Sequence, residues 1–485
     1  MTTTRHLTNF ISIWIISLLN MILPIIIILC LGRFYSIEEF GNYSVAASFM
    51  SAVAVIVTFG LGNVISFEVA AIDSKDKGKI ANMLFSGIIA LSVFSVIGIL
   101  VILGLLYVLK YNAVIVHLIL ILGIGYWFIG ATLVLNGVFM GLKEMHIPAI
   151  CACSVVASAV FSVIPSLYFH CPLWVVALTW SLSQVVGSMF SLWFLGRERF
   201  LIKPTVEKKK VTLIIKRSLG IGFDSVISRF GSNLTMILLP VYLTSYQIGI
   251  FSGAFKPFVL FTFAGECVMR FFSPYIAGVR YVSKEKIEEY LAIMHRLVAF
   301  FTLTVVVLPI FFSNSLINLV FGEKLLASAP YMMLLAFGYL IFYLPPQSPP
   351  LMALGLEWNV IWCSIIRFII NLIGIILLVP KFGIMGAVMS INIAFLSYWI
   401  VTLFLYVKEK LRAVENVASY FIFAAVTFSS GFMIREWISE GLVGVLLFLI
   451  VSLLFSLLFY WGKPERVLVA SYIARVKKMS RFSIS

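Results

Sequence analysis

The sequence predicts an all-α polytopic membrane protein with about 14 transmembrane helices. Hydrophobic residues make up 62% of the chain and charged residues 11%, whereas soluble domains are about 45–50% apolar and about 25% charged. Apolar runs of roughly 20 residues, the length that spans a bilayer as a helix, recur along all 485 residues. Short segments between these runs carry most of the charge. This composition excludes an ordinary soluble fold.

The apolar runs define the predicted spans in chain order. Helices are the expected spanning elements, because backbone groups inside lipid must be satisfied within the segment. The first run is interpreted as a retained span and not as a signal peptide, since it lacks a small-residue cleavage site after a short apolar core. The predicted spans are 9–31, 41–70, 80–108, 113–138, 147–169, 173–195, 213–242, 249–277, 291–313, 327–353, 359–380, 383–407, 417–434 and 441–461.

Lysine and arginine set the predicted orientation. With the N-terminus inside, 25 of the 35 Lys and Arg residues fall in cytoplasmic segments and 5 fall in outer segments. Positive residues favour the cytoplasmic side of a membrane protein, so we expect both termini to be cytoplasmic. The net charge of +15 is spread over these short segments, which disfavours nucleic acid as a partner.

The chain contains an internal repeat of six spans. Ser36–Tyr43 follows the first span and Thr244–Phe251 follows the seventh, at an offset of 208 residues, and both contain Gly-x-aromatic. An even number of spans per repeat predicts two lobes related by a pseudo-twofold axis along the membrane normal, with a cavity between them. The predicted lobes are 1–205 and 206–412, followed by two helices in 413–462 and a basic cytoplasmic tail, 463–485.

Local motifs resemble a known family. Glu38-Glu39-Phe40-Gly41-x-Tyr43 follows the first apolar span, and Gly60-Leu61-Gly62 lies late in the second. With the two-lobed layout, these residues resemble the Wzx-type polysaccharide flippases, in the superfamily that also holds the MATE drug exporters and the lipid II flippases. The resemblance implies movement of undecaprenyl-pyrophosphate-linked oligosaccharide, such as an O-antigen unit for lipopolysaccharide, to the periplasmic leaflet of the bacterial inner membrane. Its implied partners are this substrate, membrane lipids and other polysaccharide-assembly proteins.

Two alternatives stay open. A cation-coupled multidrug exporter of the same superfamily is disfavoured because no Asp, Glu, Lys or Arg lies between Thr8 and Leu31, where such an exporter is expected to carry an acid. A membrane glycosyltransferase or polymerase is disfavoured because the outer segments are short and carry few acids. We therefore expect a transporter and not an enzyme, with no cofactor and no catalytic residue.

Charged residues inside predicted spans are the candidate substrate-binding residues, because an ion in hydrocarbon is costly and usually functional. Three cations lack an acid three or four positions away on the same helix, whereas Glu266 and Arg270 have the i, i+4 spacing of a helical ion pair. The cations either line a wet cavity and bind an anionic group or pair structurally with Asp224 or Glu266. The candidates are Arg229, Lys256, Arg367, Asp224, Glu266 and Arg270.

Four prolines in six residues interrupt the tenth span. Proline removes a backbone donor and clashes with the preceding turn, so the helix is predicted to break there, as a hinge or cavity wall or as a simple helix end. The prolines are Pro345, Pro346, Pro349 and Pro350. The five histidines lie far apart and are interpreted as interfacial residues at span ends, with no metal site.

Overall fold

The computed structural model describes residues 24–73, 76–197, 208–279, 283–411, 417–438 and 441–455. Every regular element within these ranges is helical, which confirms the predicted all-α fold class. The chain divides into two compact units, Met1–Ser252 and Gly253–Ser485. The predicted lobe boundary near residue 205 stays a prediction.

The first unit contains eight helices and the start of a ninth. They are α1 (Pro24–Phe34), α2 (Ile37–Thr58), α3 (Leu61–Ala70), α4 (Lys77–Leu109), α5 (Ala113–Gly141), α6 (His146–Tyr168), α7 (Leu173–Arg197), α8 (Lys208–Leu238) and α9 (Ser245–Phe255).

The second unit contains the rest of α9 and nine further helices. They are α10 (Phe258–Val279), α11 (Lys284–Val306), α12 (Leu308–Phe321), α13 (Ala329–Tyr343), α14 (Pro349–Ala353), α15 (Glu357–Phe382), α16 (Ile384–Lys408), α17 (Val417–Ile438) and α18 (Leu442–Phe455).

Helix signals in the sequence explain where α2 begins and ends. The Ser36 hydroxyl accepts from the Glu39 backbone N–H, and the Glu39 carboxylate accepts from the Ser36 N–H, which forms a capping box. At the other end, Phe59 and Gly60 adopt left-handed φ values of 36° and 73°. The predicted second span, 41–70, is therefore two helices separated by this bend.

The helices follow the predicted spans in order. Ten helical segments are long and apolar enough to cross a membrane, and four shorter apolar helices accompany them among the described residues. The shorter ones include Pro24–Phe34 and Ser225–Val241, which belong to the first and seventh predicted spans. Most of the first span, part of the 197–217 linker and the 463–485 tail lie outside the described residues.

Small residues bring the helices of the first unit into close contact. A Cβ added to Gly137 of α5 would lie 2.7 Å from the carbonyl oxygen of Gly62 in α3. Helix α7 bonds to α5 at two levels: the Ser181 hydroxyl donates to the Ile121 carbonyl at 2.9 Å, and Ser191 donates to Asn136 Oδ1 at 2.9 Å. Such small and hydroxylated positions are how helices associate within lipid, where apolar surfaces have little preference for one another.

Candidate functional site

Arg367 lies on α15 against two aromatic rings. Its guanidinium carbon is 5.5 Å from the Phe342 ring centroid and 5.2 Å from the Tyr398 ring centroid. Both distances lie within the range of a cation–π interaction. The rings come from α13 and α16, so three helices of the second unit position this half-buried cation. The sequence alternatives for Arg367 were a cavity lining and an acid pair, and the aromatic contact is an arrangement that neither anticipated.

Glu266 of α10 lies beside the C-terminal end of α13. The Tyr343 hydroxyl donates to Glu266 Oε1 at 3.5 Å, and Tyr343 directly follows Phe342, whose ring lies under Arg367. The last turn of α13 therefore joins an exposed carboxylate and a half-buried guanidinium through adjacent aromatic residues.

The helix break predicted from the prolines is present. Helix α13 ends at Tyr343 and α14 begins at Pro349, and the intervening Gln347 and Ser348 are 4% and 0% exposed. Non-helical backbone at membrane depth requires polar partners from the protein or from water. Whether this break acts as a hinge stays a prediction.

Side chains of α16 and α11 supply those partners. The Trp399 indole N–H donates to the Pro345 carbonyl at 3.2 Å, and the Tyr406 hydroxyl donates to the Gln347 carbonyl at 2.9 Å. The Gln347 backbone N–H donates to His295 Nε2 at 3.5 Å, and the Ser348 and Tyr398 hydroxyls share a short hydrogen bond. Tyr398 thus contacts both the break and Arg367.

The interfacial interpretation of the histidines is wrong for His295. This residue is 0% exposed within α11 and bonds to the broken segment. Its position near the end of a predicted span suggested an interface, but the break between α13 and α14 leaves polar backbone inside the unit, and the buried imidazole bonds to it.

The remaining candidate residues are distributed over both units. Arg229 is exposed on α8 in the first unit, and its carbonyl accepts from the Asn233 side chain at 2.9 Å. Lys256 was predicted within a continuous span, but it lies half-buried in the turn between α9 and α10. Pro257 explains this turn, since proline disfavours helical backbone in the residue before it. Asp224 and Arg270 lie on α8 and α10, and their side chains lie outside the described residues.

Sequence reasoning missed the aromatic side of the site. Phe342, Tyr398 and Trp399 lie in apolar runs that contain many other aromatics, and nothing local distinguishes them. The contacts of Tyr398 join residues 50 and 31 positions apart, to Ser348 and Arg367. The available signal was an arginine within an apolar span, which requires some π face, acid or water as its partner.

Comparison with known proteins places this architecture in a family. Residues 6–263 match the family described as polysaccharide biosynthesis protein. The match covers more than half of the chain. The chain belongs to the polysaccharide biosynthesis protein family. This confirms the resemblance to Wzx-type flippases and their superfamily. No curated protein matches the sequence.

Solved structures share the fold of this family member at low sequence identity. The lipid II flippase MurJ in an inward closed conformation has a TM-score of 0.71 at 16% identity, with 96% of this chain and 100% of that chain covered. An inward-facing multidrug resistance MATE family transporter has a TM-score of 0.64 at 17% identity, with 84% and 99% covered. A MOP superfamily transporter from Pyrococcus furiosus, described as having a binding pocket of reverse polarity, has a TM-score of 0.54 at 17% identity, with 84% of this chain and 94% of that chain covered.

These findings define the protein at a coarse level. It is a multi-pass membrane protein of the polysaccharide biosynthesis protein family, and it shares its fold with a lipid II flippase and a MATE family transporter. The family places the chain in polysaccharide biosynthesis, and the predicted fold of the superfamily is confirmed.

Proposed function

We propose that this protein is a flippase that moves an undecaprenyl-pyrophosphate-linked oligosaccharide, such as an O-antigen unit, from the cytoplasmic to the periplasmic leaflet of a bacterial inner membrane. The observation that carries the proposal is Arg367 in a chain of the polysaccharide biosynthesis family. A half-buried guanidinium held by two rings, 5.5 and 5.2 Å away, is a suitable partner for an anionic headgroup.

The geometry of a guanidinium explains why it can contact two aromatic rings and still bind an anion. The rings contact the flat face, whereas the five N–H donors lie in the plane and point outward. Two of these donors can bind a phosphate oxygen pair in parallel. Arg367 would therefore hold pyrophosphate at its edge while Phe342 and Tyr398 hold its face.

Arg229 and Lys256 are proposed as the other cations on the path of the headgroup, with Asp224, Glu266 and Arg270 lining it. Binding must remain reversible at each step, and several moderate cations achieve this better than one strong site. Alternating access would then carry the sugars through a wet interior while the prenyl chain stays in lipid. The break at Pro345–Pro350 would serve as the hinge.

A cation-coupled small-molecule exporter is the second candidate function. Two MATE family transporters, with TM-scores of 0.64 and 0.56, share the fold of this chain and support this alternative. The exposed carboxylate of Glu266, bonded to Tyr343, is the acid in the described residues that such an exporter would use. The family match to polysaccharide biosynthesis favours the flippase over this alternative.

Deletion and reconstitution distinguish the two functions. Loss of the flippase should leave lipid-linked oligosaccharide accumulated on the cytoplasmic side and the surface glycan depleted. Purified protein in vesicles should move a fluorescent lipid-linked oligosaccharide between leaflets, measured by protection from a membrane-impermeant quencher. Sensitivity to cationic dyes together with normal surface glycan would instead establish the exporter.

A further inference from the structure

Within the apolar part of α8, the exposed side chains are polar and the buried ones are mostly apolar. This part belongs to the segment Ser225–Val241, and its exposed residues before position 241 are Ser225, Arg229 and Ser232. Their spacing of i, i+4 and i+7 places them on one face of the helix. We refer to these three residues, together with the neighbouring Asn233, as the α8 polar face. The helix therefore has the opposite pattern from one whose exposed face contacts lipid.

Helix α4 provides the contrast within the same unit. Its Ser92 is exposed, and the Ser92 hydroxyl donates to the Ile88 carbonyl one turn earlier at 3.0 Å. The neighbours of Ser92 at i−3 and i+4 are Ile89 and Val96, which are 39% and 58% exposed. Such a face suits lipid, because a hydroxyl that bonds to its own helix adds little polar surface. An arginine in hydrocarbon is costly, so water or a polar ligand is the suitable cover for the α8 polar face.

Hydrogen bonds within α8 decide which atoms this face offers to a ligand. The Ser232 hydroxyl donates to the Ser228 carbonyl at 2.8 Å. The Asn233 amide nitrogen donates to the Arg229 carbonyl at 2.9 Å. A hydroxyl that donates its one hydrogen keeps its lone pairs, and an amide that donates from nitrogen keeps its carbonyl oxygen as an acceptor. Ser232 and Asn233 therefore offer acceptors, one turn from a guanidinium that offers only donors.

We propose that Ser232 and Asn233 form a saccharide subsite beside Arg229, where they accept hydrogen bonds from the hydroxyl and amide N–H groups of the sugar next to the phosphate. The proposal rests on the proposed flippase function. Saccharides carry many such donors, whereas a lipophilic cation carries few and is repelled by the charge of Arg229. Three residues of helix rise about 4.5 Å, so the cation and the subsite are adjacent, as phosphate and sugar are in a sugar pyrophosphate.

Binding of two lipids that differ in their sugars tests the subsite. The first is the lipid-linked oligosaccharide extracted from cells that lack this protein, and the second is undecaprenyl pyrophosphate, which carries no sugar. Both are titrated against the full-length protein in lipid nanodiscs. Ser232→Ala with Asn233→Ala should weaken binding of the oligosaccharide lipid about tenfold, because two hydrogen bonds are lost. The same double variant should bind undecaprenyl pyrophosphate as the wild type does.

Three single variants separate the subsite from the cation and from general effects on the fold. Ser92→Ala is the matched control, since it removes an exposed hydroxyl that bonds to its own helix on α4, and it should change binding of neither lipid. Ser232→Thr keeps a hydroxyl and should bind the oligosaccharide lipid nearly as the wild type does. Arg229→Ala should weaken binding of both lipids, because the pyrophosphate is common to them.

Equal weakening of both lipids by the double variant would overturn the saccharide subsite, and so would binding of the oligosaccharide lipid at wild-type strength. In either case, movement of the oligosaccharide lipid between leaflets by the wild-type protein would leave the flippase function intact. A wild-type protein that binds neither lipid but binds a cationic dye would instead refute the flippase function, and the subsite with it.

Discussion

Arg367 combines a charge with an apolar setting, and its rings account for how both are tolerated. Cation–π contacts contribute about 0.5–1 kcal/mol when exposed and about 2 kcal/mol or more when desolvated. With Phe342 and Tyr398 both within 5.5 Å, the guanidinium has a defined position without requiring a neutralising acid. A cation held by aromatic faces keeps its in-plane N–H donors available for an anionic substrate.

Substitution of Arg367 tests this assignment. Arg367→Ala should lower oligosaccharide transport by roughly tenfold or more, which corresponds to about 1.4 kcal/mol of lost interaction. Arg367→Lys should retain part of the activity, because lysine keeps the charge but lacks the flat stacking face and the paired donors. Lys381→Ala on the same helix is the control. Equal transport by wild type and Arg367→Ala at equal abundance would contradict the assignment.

Arg229 on α8 requires a test that separates substrate binding from structural pairing. Arg229→Ala should greatly reduce surface glycan, and Arg229→Lys should retain part of it. The charge swap of Asp224→Arg with Arg229→Asp decides the interpretation when membrane abundance is measured in parallel. Full recovery in the swap would show a structural pair, whereas normal folding without transport would support contact with the substrate.

Asp76 shows how a charge outside the spans contributes to stability. It caps α4: Lys79 Nζ lies 2.8 Å from Oδ2 and the Lys79 N–H donates to Oδ1 at 3.0 Å. The bond to the Lys79 side chain, followed by that to its backbone, lowers the pKa of Asp76 from 3.8. Its stabilisation is therefore present above that pH and lost as the pH falls through the lowered pKa. Asp76→Asn should unfold at lower temperature than wild type at pH 7, and this difference should shrink below about pH 3.8.

At the scale of elements, the break between α13 and α14 is held by hydrogen bonds from side chains of a neighbouring helix, α16. Trp399 and Tyr406 bond to its carbonyl groups, and Tyr398 connects it to Arg367. One side chain, Tyr398, therefore contacts both the break and the proposed headgroup site. Discrete hydrogen-bonded arrangements of this type are what allow an element to have two stable positions.

Replacement of the prolines tests the hinge. Pro346→Ala with Pro349→Ala restores one donor in the break and removes the preformed first turn of α14, so transport should slow while membrane abundance stays near normal. The matched variant Pro380→Ala changes a proline within continuous α15 and should leave the rate unaltered. Wild-type transport in the double variant would show that the break is a helix end and not a hinge.

Much of the helix order follows from the sequence because span length and lipid physics are local constraints. Apolar runs predicted the spans, and four clustered prolines predicted the break. The bend at Phe59–Gly60 was missed because one glycine in a long apolar run is a weak local signal. The turn at Lys256 was missed although Pro257 marks it. The pairing of Arg367 with Tyr398, and of His295 with Gln347, depends on which helices are neighbours, and periodicity within one helix carries no information on that.

At the scale of the whole molecule, the charge distribution makes topology the property most directly open to test. A 25-to-5 division of Lys and Arg between alternate segments would be scrambled by a single missed or extra span, since every later segment would change sides. Alkaline phosphatase fused after Ser485 or at Lys209 should therefore be inactive, because the enzyme requires export. A fusion after Lys110, between α4 and α5, should be active. Strong activity at Lys209 would place an odd number of crossings before α8 and refute the six-span repeat.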